Sequence, residues 1–446
     1  MNILKYLITV TLLAVCFSGC KERQKQSQNQ SANLSDEELL DLVQRQTFQY
    51  FWDGAEPVSG MARERYHVDG DYPENDKEVV TSGGSGFGIM AIIAGIERGY
   101  ITREQGVERM NKILSFLENA DSFKGAFPHW WHGPTGKTKP FSKKDNGGDL
   151  VETAFLFQGL LAAHQYFIDG SEDEIIVAER IDNLWKKVEW NWYQNEQNVL
   201  YWHWSPDYEW EMDFPVRGYN ECLIMYVLAA SSPTHPILPE VYHEGWAEKG
   251  VIFEPHTVEG FDLNMRYQGT LAGPLFWAHY SFLGLDPRGL RDRYGNYFDE
   301  MKNYTLINRA YCIRNPKNYK GYGENCWGLT ASYSVVGYSA HAPNEKEDLG
   351  VISPTAALSS IVYTPEESMA VMRYLYNKGE KIWGKYGFYD AFSETDDWYP
   401  QRYLAIDQGP IVVMIENYRS QLLWDLFMSH PDVQYGLNIL GFEIDD

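Results

Sequence analysis

Asp145, Asp149 and Glu152 are three acidic residues within one short segment of the sequence. We expect Asp149 at the start of a helix, with Asp145 in the preceding turn. Glu152 then lies one helical turn further on, so the carboxyl groups of Asp149 and Glu152 share a face. Neighbouring carboxyl groups can carry out general acid–base catalysis. The alternative is structural, with Asp149 as an N-cap and Glu152 as its capping-box partner.

An aromatic segment upstream favours the functional interpretation of these carboxyl groups. His129, Trp130 and Trp131 offer flat faces on which a ligand can stack, together with polar ring atoms for hydrogen bonds. Gly147 and Gly148, between the acidic residues, have no side chain that would keep a ligand away from the backbone. The sequence therefore predicts that this segment binds substrate beside the acidic cluster.

Glu221 is a second candidate for acid chemistry, because it opens an otherwise apolar helix that begins Cys222-Leu223-Ile224. Burial against apolar neighbours raises the pKa of a carboxyl group, as a general acid requires. The structural alternative is a carboxylate stabilised by the helix dipole. Arg217 fits an ion-pair partner or a donor to sugar hydroxyl groups, and Tyr219 lies beside the candidate acid.

Asp407 is a third candidate, because it precedes the long apolar run Ile411-Val412-Val413-Met414-Ile415 and is expected to face inward from a helix start. Asp390, Asp396 and Asp397 lie in loops, where solvation or hydrogen bonding is the expected role. Trp398 follows them as a possible stacking surface. Asp407 is therefore the preferred partner for the acid in this part of the chain.

The segment 321–330 combines glycines with Tyr322, Glu324 and Trp327. Glycines allow the backbone to approach a ligand closely, and the two aromatic side chains can act as stacking platforms. We therefore predict that these three residues bind substrate.

Other catalytic arrangements are not supported by the sequence. There is no Gly-x-Ser-x-Gly nucleophile motif and no His-Glu-x-x-His zinc motif, and the glycine-rich segment 83–88 lacks the lysine of a phosphate-binding loop. We therefore expect neither a metal nor a cofactor. Carboxyl groups and aromatic side chains are what hydrolysis of a glycosidic bond needs, with one protonated carboxyl group and a second as base or nucleophile.

The elements that must position these residues are mostly helical. Ser35 with Glu38, Thr102 with Gln105, and Thr364 with Glu367 are predicted capping boxes, each followed by apolar residues at helical spacing. Further helices are predicted at ranges that include 271–283 and 327–334, and the few strand signals, near 199–204 and 388–391, indicate short hairpins. No βαβ alternation and no sequence repeat is visible. We predict an all-α fold of paired helices, an (α/α)6 toroid, in a single domain over residues 36–446.

Composition narrows the class of partner. Of 446 residues, 62 are acidic and 38 are basic, and the net charge of −24 excludes a nucleic-acid partner. Aromatic residues make up 15% of the chain, which is consistent with binding to sugar rings.

The first residues carry a targeting signal. Residues 1–19 are predicted to be a secretory signal peptide that ends before Cys20, which is the pattern of a bacterial lipoprotein. Residues 20–35 are polar and read as a flexible tether from the lipidated Cys20. We expect a lipid-anchored protein of the bacterial envelope, on the periplasmic face of the outer membrane or on the cell surface. Cys222, Cys312 and Cys326 are expected to be buried thiols.

Several motifs together resemble the glucoamylase-like family of bacterial envelope proteins, which is similar to glycoside hydrolase family 144, the β-1,2-glucanases. They are the run Thr81-Ser82-Gly83-Gly84-Ser85-Gly86-Phe87-Gly88, His129-Trp130-Trp131, Asp145-x3-Asp149-x2-Glu152, Tyr219-Asn220-Glu221 and Gly323-Glu324-Asn325-x-Trp327-Gly328. The resemblance covers essentially all of residues 36–440. It implies an (α/α)6 fold and inverting hydrolysis of β-1,2-glucan to sophorose or short sophoro-oligosaccharides. It also implies Glu221 as the general acid, Asp407 as the base, and Asp145, Asp149 and Glu152 as the acidic lining of the cleft.

Two alternatives stay open at this point. One is an exo-acting, glucoamylase-like hydrolase of α-glucans on the same fold. The other is a non-catalytic lipoprotein that binds glycans. A binding protein needs stacking surfaces but no carboxyl group at an apolar helix end, so the positions of Glu221 and Asp407 favour an enzyme.

Overall fold

The computed structural model describes residues 34–267 and 272–444. The predicted signal peptide, Cys20 and residues 20–33 of the predicted tether lie outside the described residues.

Helices form most of the described structure. The α-helices are α1 (Asp36–Trp52), α2 (Ser82–Glu97), α3 (Arg103–Leu117), α4 (Leu150–Phe167), α5 (Glu172–Trp185), α6 (Leu223–Ser231), α7 (Tyr297–Arg314), α8 (Pro354–Leu358), α9 (Pro365–Tyr376), α10 (Ala405–Ser420), α11 (Leu422–Met428) and α12 (Pro431–Leu440). Short 3₁₀-helices cover Pro73–Glu78, Trp190–Gln194, Glu248–Gly250, Leu275–Ala278, Tyr280–Phe282 and Gly379–Lys381, and a short π-helix covers Val241–Trp246. The expectation of a helix-rich chain is therefore confirmed.

The helices form an inner and an outer set. Helices α2, α4, α6 and α10 are buried over nearly their whole length and are apolar around most of their circumference. Helices α1, α3, α5 and α9 bury one face only and expose a charged face. Helix α2 packs against α4 and α10, while α1 covers α10 and α5 covers α4. This division follows from sequence, because a helix that is hydrophobic on all sides must be covered on all sides.

The two most closely packed inner helices meet at glycines. A Cβ atom at Gly159 of α4 would lie 2.1 Å from the carbonyl oxygen of Gly86 in α2. A Cβ atom at Gly86 would lie 2.1 Å from the carbonyl oxygen of Phe155. Only glycine fits at either position, so these residues fix the distance between α2 and α4 and the relative placement of the helix starts.

Short strands lie at the ends of the helices. They are β1 (Arg65–His67), β2 (Val79–Thr81), β3 (Trp130–His132), β4 (Lys137–Lys139), β5 (Gly148–Asp149), β6 (His203–Trp204), β7 (Phe253–Val258), β8 (Phe261–Met265), β9 (Leu290–Arg291), β10 (Ala331–Ser334), β11 (Gly337–Ala340), β12 (Trp383–Gly384), β13 (Gly387–Phe388), β14 (Arg402–Leu404) and β15 (Glu443–Ile444). All pairs are antiparallel: β1 with β14, β2 with β3 with β4, β5 with β6, β7 with β8, β9 with β15, β10 with β11, and β12 with β13. Because β1 pairs with β14, residues from the first and last quarters of the chain meet beside the start of α10.

Two of the three predicted capping boxes are confirmed, those of Ser35 with Glu38 and of Thr102 with Gln105. The third is wrong, although helix α9 begins at Pro365 as expected. The Thr364 side chain donates instead to the carbonyl oxygen of Ser360 and does not cap α9. Thr364 also has a ψ of 64°, outside the extended region that a capping residue usually adopts.

Two predicted helices are wrong. Residues 327–334 contain strand β10, which forms a hairpin with β11 because Gly337 takes a left-handed φ of 115°. The described part of 271–283 forms only 3₁₀ turns. The apolar character of both segments was read correctly, but short apolar runs do not distinguish a helix from a buried strand or turn.

The cysteines within the described residues, Cys222, Cys312 and Cys326, are buried free thiols, as expected. Among the described helices, none combines the length and apolar character needed to cross a membrane.

Candidate active site

A cavity of about 390 Å³ lies where the starts of α2, α4 and α10 meet the strands β1, β3 and the β10–β11 hairpin. Its polar lining consists of Glu64, Arg65, Thr81, His129, Glu152 and Glu221, and its aromatic lining of Trp130, Phe141, Phe155, Trp202, Phe276, Tyr280, Tyr333 and Tyr338. Ala331, Leu404 and Ile406 complete the lining. Carboxyl groups surrounded by aromatic faces suit a neutral, hydroxyl-rich ligand that stacks on apolar surfaces and hydrogen-bonds through its edges.

Glu221 faces the cavity from the position that precedes Cys222, the N-cap residue of helix α6. The helix begins at Leu223 with Cys222 as its N-cap, so Glu221 precedes the helix and does not lie in its first turn. Only 9% of Glu221 is exposed. Burial raises the pKa of its carboxyl group to about 7, and the negative charges of Glu152 and Asp149 add to this effect. At neutral pH this carboxyl group can hold a proton and give it away, which is what a general acid does.

His129 is the positive centre of the acidic cluster. Its Nδ1 lies 3.0 Å from Asp149 Oδ2 and 3.8 Å from Asp145 Oδ2, and its Nε2 lies 3.8 Å from Glu152 Oε1. Burial alone would lower the pKa of His129, but the three carboxylates outweigh it and raise the pKa to about 10. His129 is therefore an imidazolium at neutral pH, donating to Asp149.

Asp149 is held in place by its position at the start of α4. One carboxylate oxygen, Oδ1, accepts from the backbone N–H of Glu152 at 2.9 Å, so Asp149 is the N-cap of the helix. The other oxygen, Oδ2, accepts from His129 and from Trp202 Nε1 at 3.1 Å. The structural and functional interpretations of Asp149 are thus compatible, since the cap fixes a carboxylate that also orients two cavity residues.

Glu152 does not complete a capping box with Asp149. Its Oε2 accepts instead from the backbone N–H of Gly83, at 2.8 Å, in the first turn of α2. A Cβ atom at Gly83 would lie 2.5 Å from that same oxygen. The pKa of Glu152 is raised to about 6, mainly by burial, while His129 acts in the opposite direction.

Asp145 lies on the far side of His129 and is buried, with 5% exposed. Its Oδ1 is 3.3 Å from His203 Nε2 of strand β6, which pairs with β5 beside Asp149. Burial and the charge of Asp149 raise the pKa of Asp145 to about 7, whereas burial lowers the pKa of His203. Asp145 therefore acts through His129, since it is not part of the cavity lining.

The donor atoms of His129, Asp145 and Asp149 lie within 4.8 Å of one another, a spacing that fits a cation. A metal ligand must be a neutral imidazole, however, and these carboxylates keep His129 protonated. The imidazolium already provides the positive charge that a metal would bring.

Asp407 lies in the first turn of α10, facing inward as predicted, but with only 1% exposed. Its neighbour Ile406 lines the cavity, whereas Asp407 lies behind the lining. The side chain of Asp407 contacts the carboxyl group of Asp390. Burial, followed by the charge of Asp390, raises the pKa of Asp407 well above its ordinary value.

Asp390 is hydrogen-bonded and buried, not solvated, with 2% exposed. Its Oδ2 accepts from the backbone N–H of Tyr333, at 2.8 Å, and its carbonyl accepts from Ser353. Asp396 and Asp397 are exposed, as expected for loop residues.

Of the predicted substrate-binding residues, the structure brings His129 and Trp130 into the lining. The other predicted residues lie outside the lining, and three of them are core side chains. Trp131 packs edge-on against Phe116 and Phe127. Tyr219 donates to the carbonyl oxygen of Trp277, and Trp327 is fully buried. The position of Trp131 follows from the geometry of a strand. Successive side chains of β3 point to opposite faces, so Trp130 faces the cavity and Trp131 faces the core.

The remaining predicted residues are nearer the surface. Arg217 is partly buried, and Glu324 is exposed in a loop. Tyr322 donates to Asp348 Oδ1 at 2.7 Å, and Trp398 is partly buried in a loop bridged to Ser393. The glycines around Tyr322 and Glu324 serve turns in this structure, with Gly321 at a φ of 86°.

Sequence reasoning missed several lining residues, above all Glu64 and Arg65. Arg65 is paired with Glu64 and lies over the ring of Trp130, with its guanidinium carbon 5.5 Å from the ring centroid. The backbone N–H of Ala405 donates to the carbonyl oxygen of Glu64 at 2.9 Å, which places both residues beside the start of α10. The signal was weak, because two adjacent charged residues far from every other motif normally indicate a solvated loop.

Tyr333 and Tyr338 were missed for another reason. They come from the β10–β11 hairpin, whose first strand lies in the predicted helix 327–334. They are direct cross-strand partners in that hairpin, a relationship that a helical assignment cannot reveal.

Comparison with known proteins identifies the family. The family model Glycoamylase, described as "Putative glucoamylase", matches residues 213–431. An exo-β-1,2-glucooligosaccharide sophorohydrolase (non-reducing end) from Parabacteroides distasonis is 49% identical over 423 residues. The match covers 91% of this chain but only 58% of the length of that curated relative.

Two solved structures agree over almost their full length. An endo-β-1,2-glucanase from Chitinophaga pinensis, solved with sophorotriose and glucose, is 67% identical with a TM-score of 0.91, over 92% of this chain and 99% of that chain. A Bacteroides caccae protein that carries the glucoamylase description is 71% identical with a TM-score of 0.92, over 92% of this chain and 100% of that chain.

The fold is thus helix-rich, with structural neighbours of the glycoside hydrolase type. The chain belongs to the glucoamylase-like family, together with these relatives.

Proposed function

We propose that this protein is a glycoside hydrolase that cleaves β-1,2-glucan to sophorose or short sophoro-oligosaccharides, with inversion. One observation carries the proposal: Glu221, a carboxyl group with a pKa raised to about 7, faces a cavity lined by aromatic side chains. The substrate class is supported by the relatives, since both the Parabacteroides and the Chitinophaga proteins are named for action on β-1,2-linked glucose.

In the proposed mechanism Glu221 is the general acid. As the glycosidic bond breaks, the proton of Glu221 moves to the leaving oxygen, which becomes the hydroxyl group of the released sugar. The oxygen of a water molecule bonds to the anomeric carbon from the opposite face, and its proton moves to Asp407 through a sugar hydroxyl group or a second water molecule, since Asp407 lies behind the cavity lining. A raised pKa suits the role of Glu221, because the group must be protonated when substrate binds.

In the proposed mechanism the acidic cluster orients the substrate and holds a positively charged imidazolium at the cavity wall. Glu152 lines the cavity and is fixed by Gly83, while Asp149 and Asp145 hold the imidazolium of His129 at the cavity wall. His129 and Arg65 can donate hydrogen bonds to sugar hydroxyl groups. Trp130 provides an aromatic face beside them.

We further propose that the inner and outer helices close into an (α/α)6 toroid, with residues 36–446 as a single domain. The support is the division into four wholly buried helices (α2, α4, α6 and α10) and the half-buried helices that cover them. We also propose that residues 1–19 are removed and that Cys20 is lipidated. The protein would then be anchored in the bacterial envelope, facing the periplasm or the cell surface. The support here is the sequence alone.

The function is tested with purified wild-type protein, Glu221→Gln and Glu366→Gln. Glu366 is an exposed carboxylate on α9, outside the cavity, so its substitution is a matched control. Each protein is incubated with linear β-1,2-glucan, starch, laminarin and cellulose oligosaccharides, and the products are separated by size. We expect sophorose or sophoro-oligosaccharides from β-1,2-glucan alone, lost in Glu221→Gln and kept in Glu366→Gln.

Two other outcomes would overturn the proposal. Glucose released from starch would assign the protein to α-glucan hydrolysis, the activity that the glucoamylase description suggests. Binding of β-1,2-glucan in a calorimetric titration, without product from any glycan, would make the protein a non-catalytic glycan-binding protein. Nuclear magnetic resonance of the first products tests inversion, since an inverting enzyme releases the α-anomer from a β-linkage.

A further inference from the structure

The backbones of Asp390 and Asp407 are held close together behind the cavity wall by a common support, and their carboxyl groups are in contact. The hydroxyl group of Ser353 donates to the carbonyl oxygen of Asp390, at 2.6 Å, and that of Thr355 donates to the carbonyl oxygen of Asp407, at 2.7 Å. Ser353 and Thr355 both belong to the start of the short helix α8. In addition, Gln408 Nε2 donates to the carbonyl oxygen of Phe388, which ties the first turn of α10 to the segment that carries Asp390.

The two side chains have few partners other than each other. Within the described residues, neither carboxylate oxygen of Asp407 and only one of Asp390 accepts a hydrogen bond from an N–H or O–H donor. Both residues are at least nine-tenths buried, with 1% of Asp407 and 2% of Asp390 exposed. The contact between them is a carboxyl–carboxyl contact, which becomes a hydrogen bond only when one of the two groups keeps its proton.

The surrounding groups make double ionisation unfavourable. Glu64, from the segment before β1, adds a further negative charge near both aspartates. Tyr338 of β11 and Tyr280 of the 3₁₀ turn lie near enough to Asp407 for its charge to raise their pKa values, and the backbone N–H of Tyr333 in β10 donates to Asp390. Burial favours the neutral form of each carboxyl group, and a like charge in contact disfavours the second ionisation.

We propose that Asp390 and Asp407 share a single proton, and that Asp390 is the positioning residue that holds Asp407 as the base of the reaction. In this pair the proton lies between the two groups and the remaining negative charge is available to take a second proton from the attacking water. The pair loses its protons in two steps, and after the first step one proton and one negative charge are shared between the two groups. The strongly raised pKa of Asp407 belongs to the loss of the second proton, so the base is the singly ionised pair. The assignment of Asp407 as base rests on the proposed function, whereas the shared proton does not.

Infrared spectroscopy tests the shared proton without reference to activity. At about pH 8.5 the carboxyl groups of Glu221, Asp145 and Glu152 are ionised, since their pKa values are about 7, 7 and 6. We expect wild-type protein to keep the C=O stretch of the singly protonated pair at this pH, read as a difference from each variant because burial also raises the pKa of Glu64. The band should be lost in Asp390→Asn and in Asp407→Asn, each of which leaves a single carboxyl group with an amide donor.

Asp397→Asn is the matched control, because Asp397 is exposed in a nearby loop and has a φ of 49°, which asparagine adopts readily. The band should be unchanged in this variant. Absence of the band in wild-type protein, or its persistence in both Asp390→Asn and Asp407→Asn, would overturn the shared proton. Two variants are used so that failure of one to fold leaves the test intact.

Kinetics test the positioning role. In Asp390→Ala, Asp407 ionises alone in its buried position with no donor to its carboxylate. Its pKa should therefore lie above that of the first ionisation of the wild-type pair, and the acid limb of the kcat profile should move to higher pH by about one unit. Asp390→Asn restores a donor, and its acid limb should return close to that of wild type. A merely structural role would lower kcat in Asp390→Ala without moving the limb, which would overturn the positioning role. Failure of wild-type protein to cleave β-1,2-glucan would instead reject the proposed function, while the infrared result would still decide the shared proton.

Discussion

At the scale of single residues, the chemistry depends on Glu221. Its burial raises the pKa of the carboxyl group to about 7, so the acid form is populated up to neutral pH. A general acid is active when protonated, and kcat should therefore fall as the pH rises through about 7. A pH–rate profile on β-1,2-glucan measures this basic limb. A profile that stays flat to about pH 9 would contradict the assignment of Glu221 as the acid.

The same raised pKa predicts an effect on stability. Because the pKa of Glu221 is about 7 in the folded protein and lies near 4.5 in the unfolded chain, the folded state holds the proton more tightly between these pH values. Stability from this group is complete below pH 4.5 and is lost as the pH rises through 7. Glutamine at this position has no charge to bury, so Glu221→Gln should be more stable than wild type at pH 8, by up to about 3 kcal/mol.

Thermal unfolding at two pH values checks this expectation. The Tm of Glu221→Gln should exceed that of wild type by a few degrees at pH 8, and the two should agree near pH 4.5. A variant that is equally or less stable at pH 8 would mean that the carboxylate of Glu221 is not penalised by its surroundings.

At the scale of the elements, helix starts position the acidic side chains. The N–H of Gly83, in the first turn of α2, holds Glu152, and the close approach leaves no room for a Cβ atom. Gly83→Ala should therefore displace the Glu152 carboxylate and lower kcat on β-1,2-glucan by about 10-fold or more, with a smaller change in Tm. Gly99→Asn is the control, because Gly99 has a left-handed φ of 68°, has open space around it and should tolerate asparagine. Unchanged kcat in Gly83→Ala would contradict a role for the position of Glu152.

Sequence patterns predicted the helices better than they predicted which distant residues come together at the cavity. The capping boxes at Ser35 and Thr102 are local signals, and both were predicted correctly. Glu221 could be found because it stands alone at the edge of an apolar run, and Glu152 because it lies one helical turn after Asp149. Glu64 and Arg65 could not, because the pairing of β1 with β14 joins residues more than 300 positions apart in the chain, and no local pattern encodes that pairing.

Errors in the predicted elements also propagated to the site. Because 327–334 was predicted to be helical, Tyr333 and Tyr338 were not expected at the cavity, although both line it. Trp131 and Trp327 were expected to bind substrate because aromatic side chains suit both roles. Both side chains are buried in the core. The residue type alone does not show whether an aromatic side chain lies in the core or in a cleft.

At the scale of the whole molecule, the proposed anchor lies outside the described residues and is tested separately from the site. Expressed with its leader in a bacterium that processes lipoproteins, the wild-type chain should partition into the detergent phase of a detergent extraction. Cys20→Ser removes the thiol that would carry the lipid, and should move the protein to the aqueous phase with its activity intact. Equal partitioning of the two proteins would contradict lipidation at Cys20.

The fold as a whole gathers carboxyl groups from distant parts of the chain around one aromatic cavity, and the central claim is that Glu221 protonates the leaving sugar there. The most direct test compares wild type with Glu221→Gln on β-1,2-glucan and on a dinitrophenyl β-sophoroside, whose leaving group departs without protonation. We predict that kcat falls about 10³-fold on the glucan and less than about 10-fold on the aryl substrate. An equal loss on both substrates, or no loss on the glucan, would contradict the account.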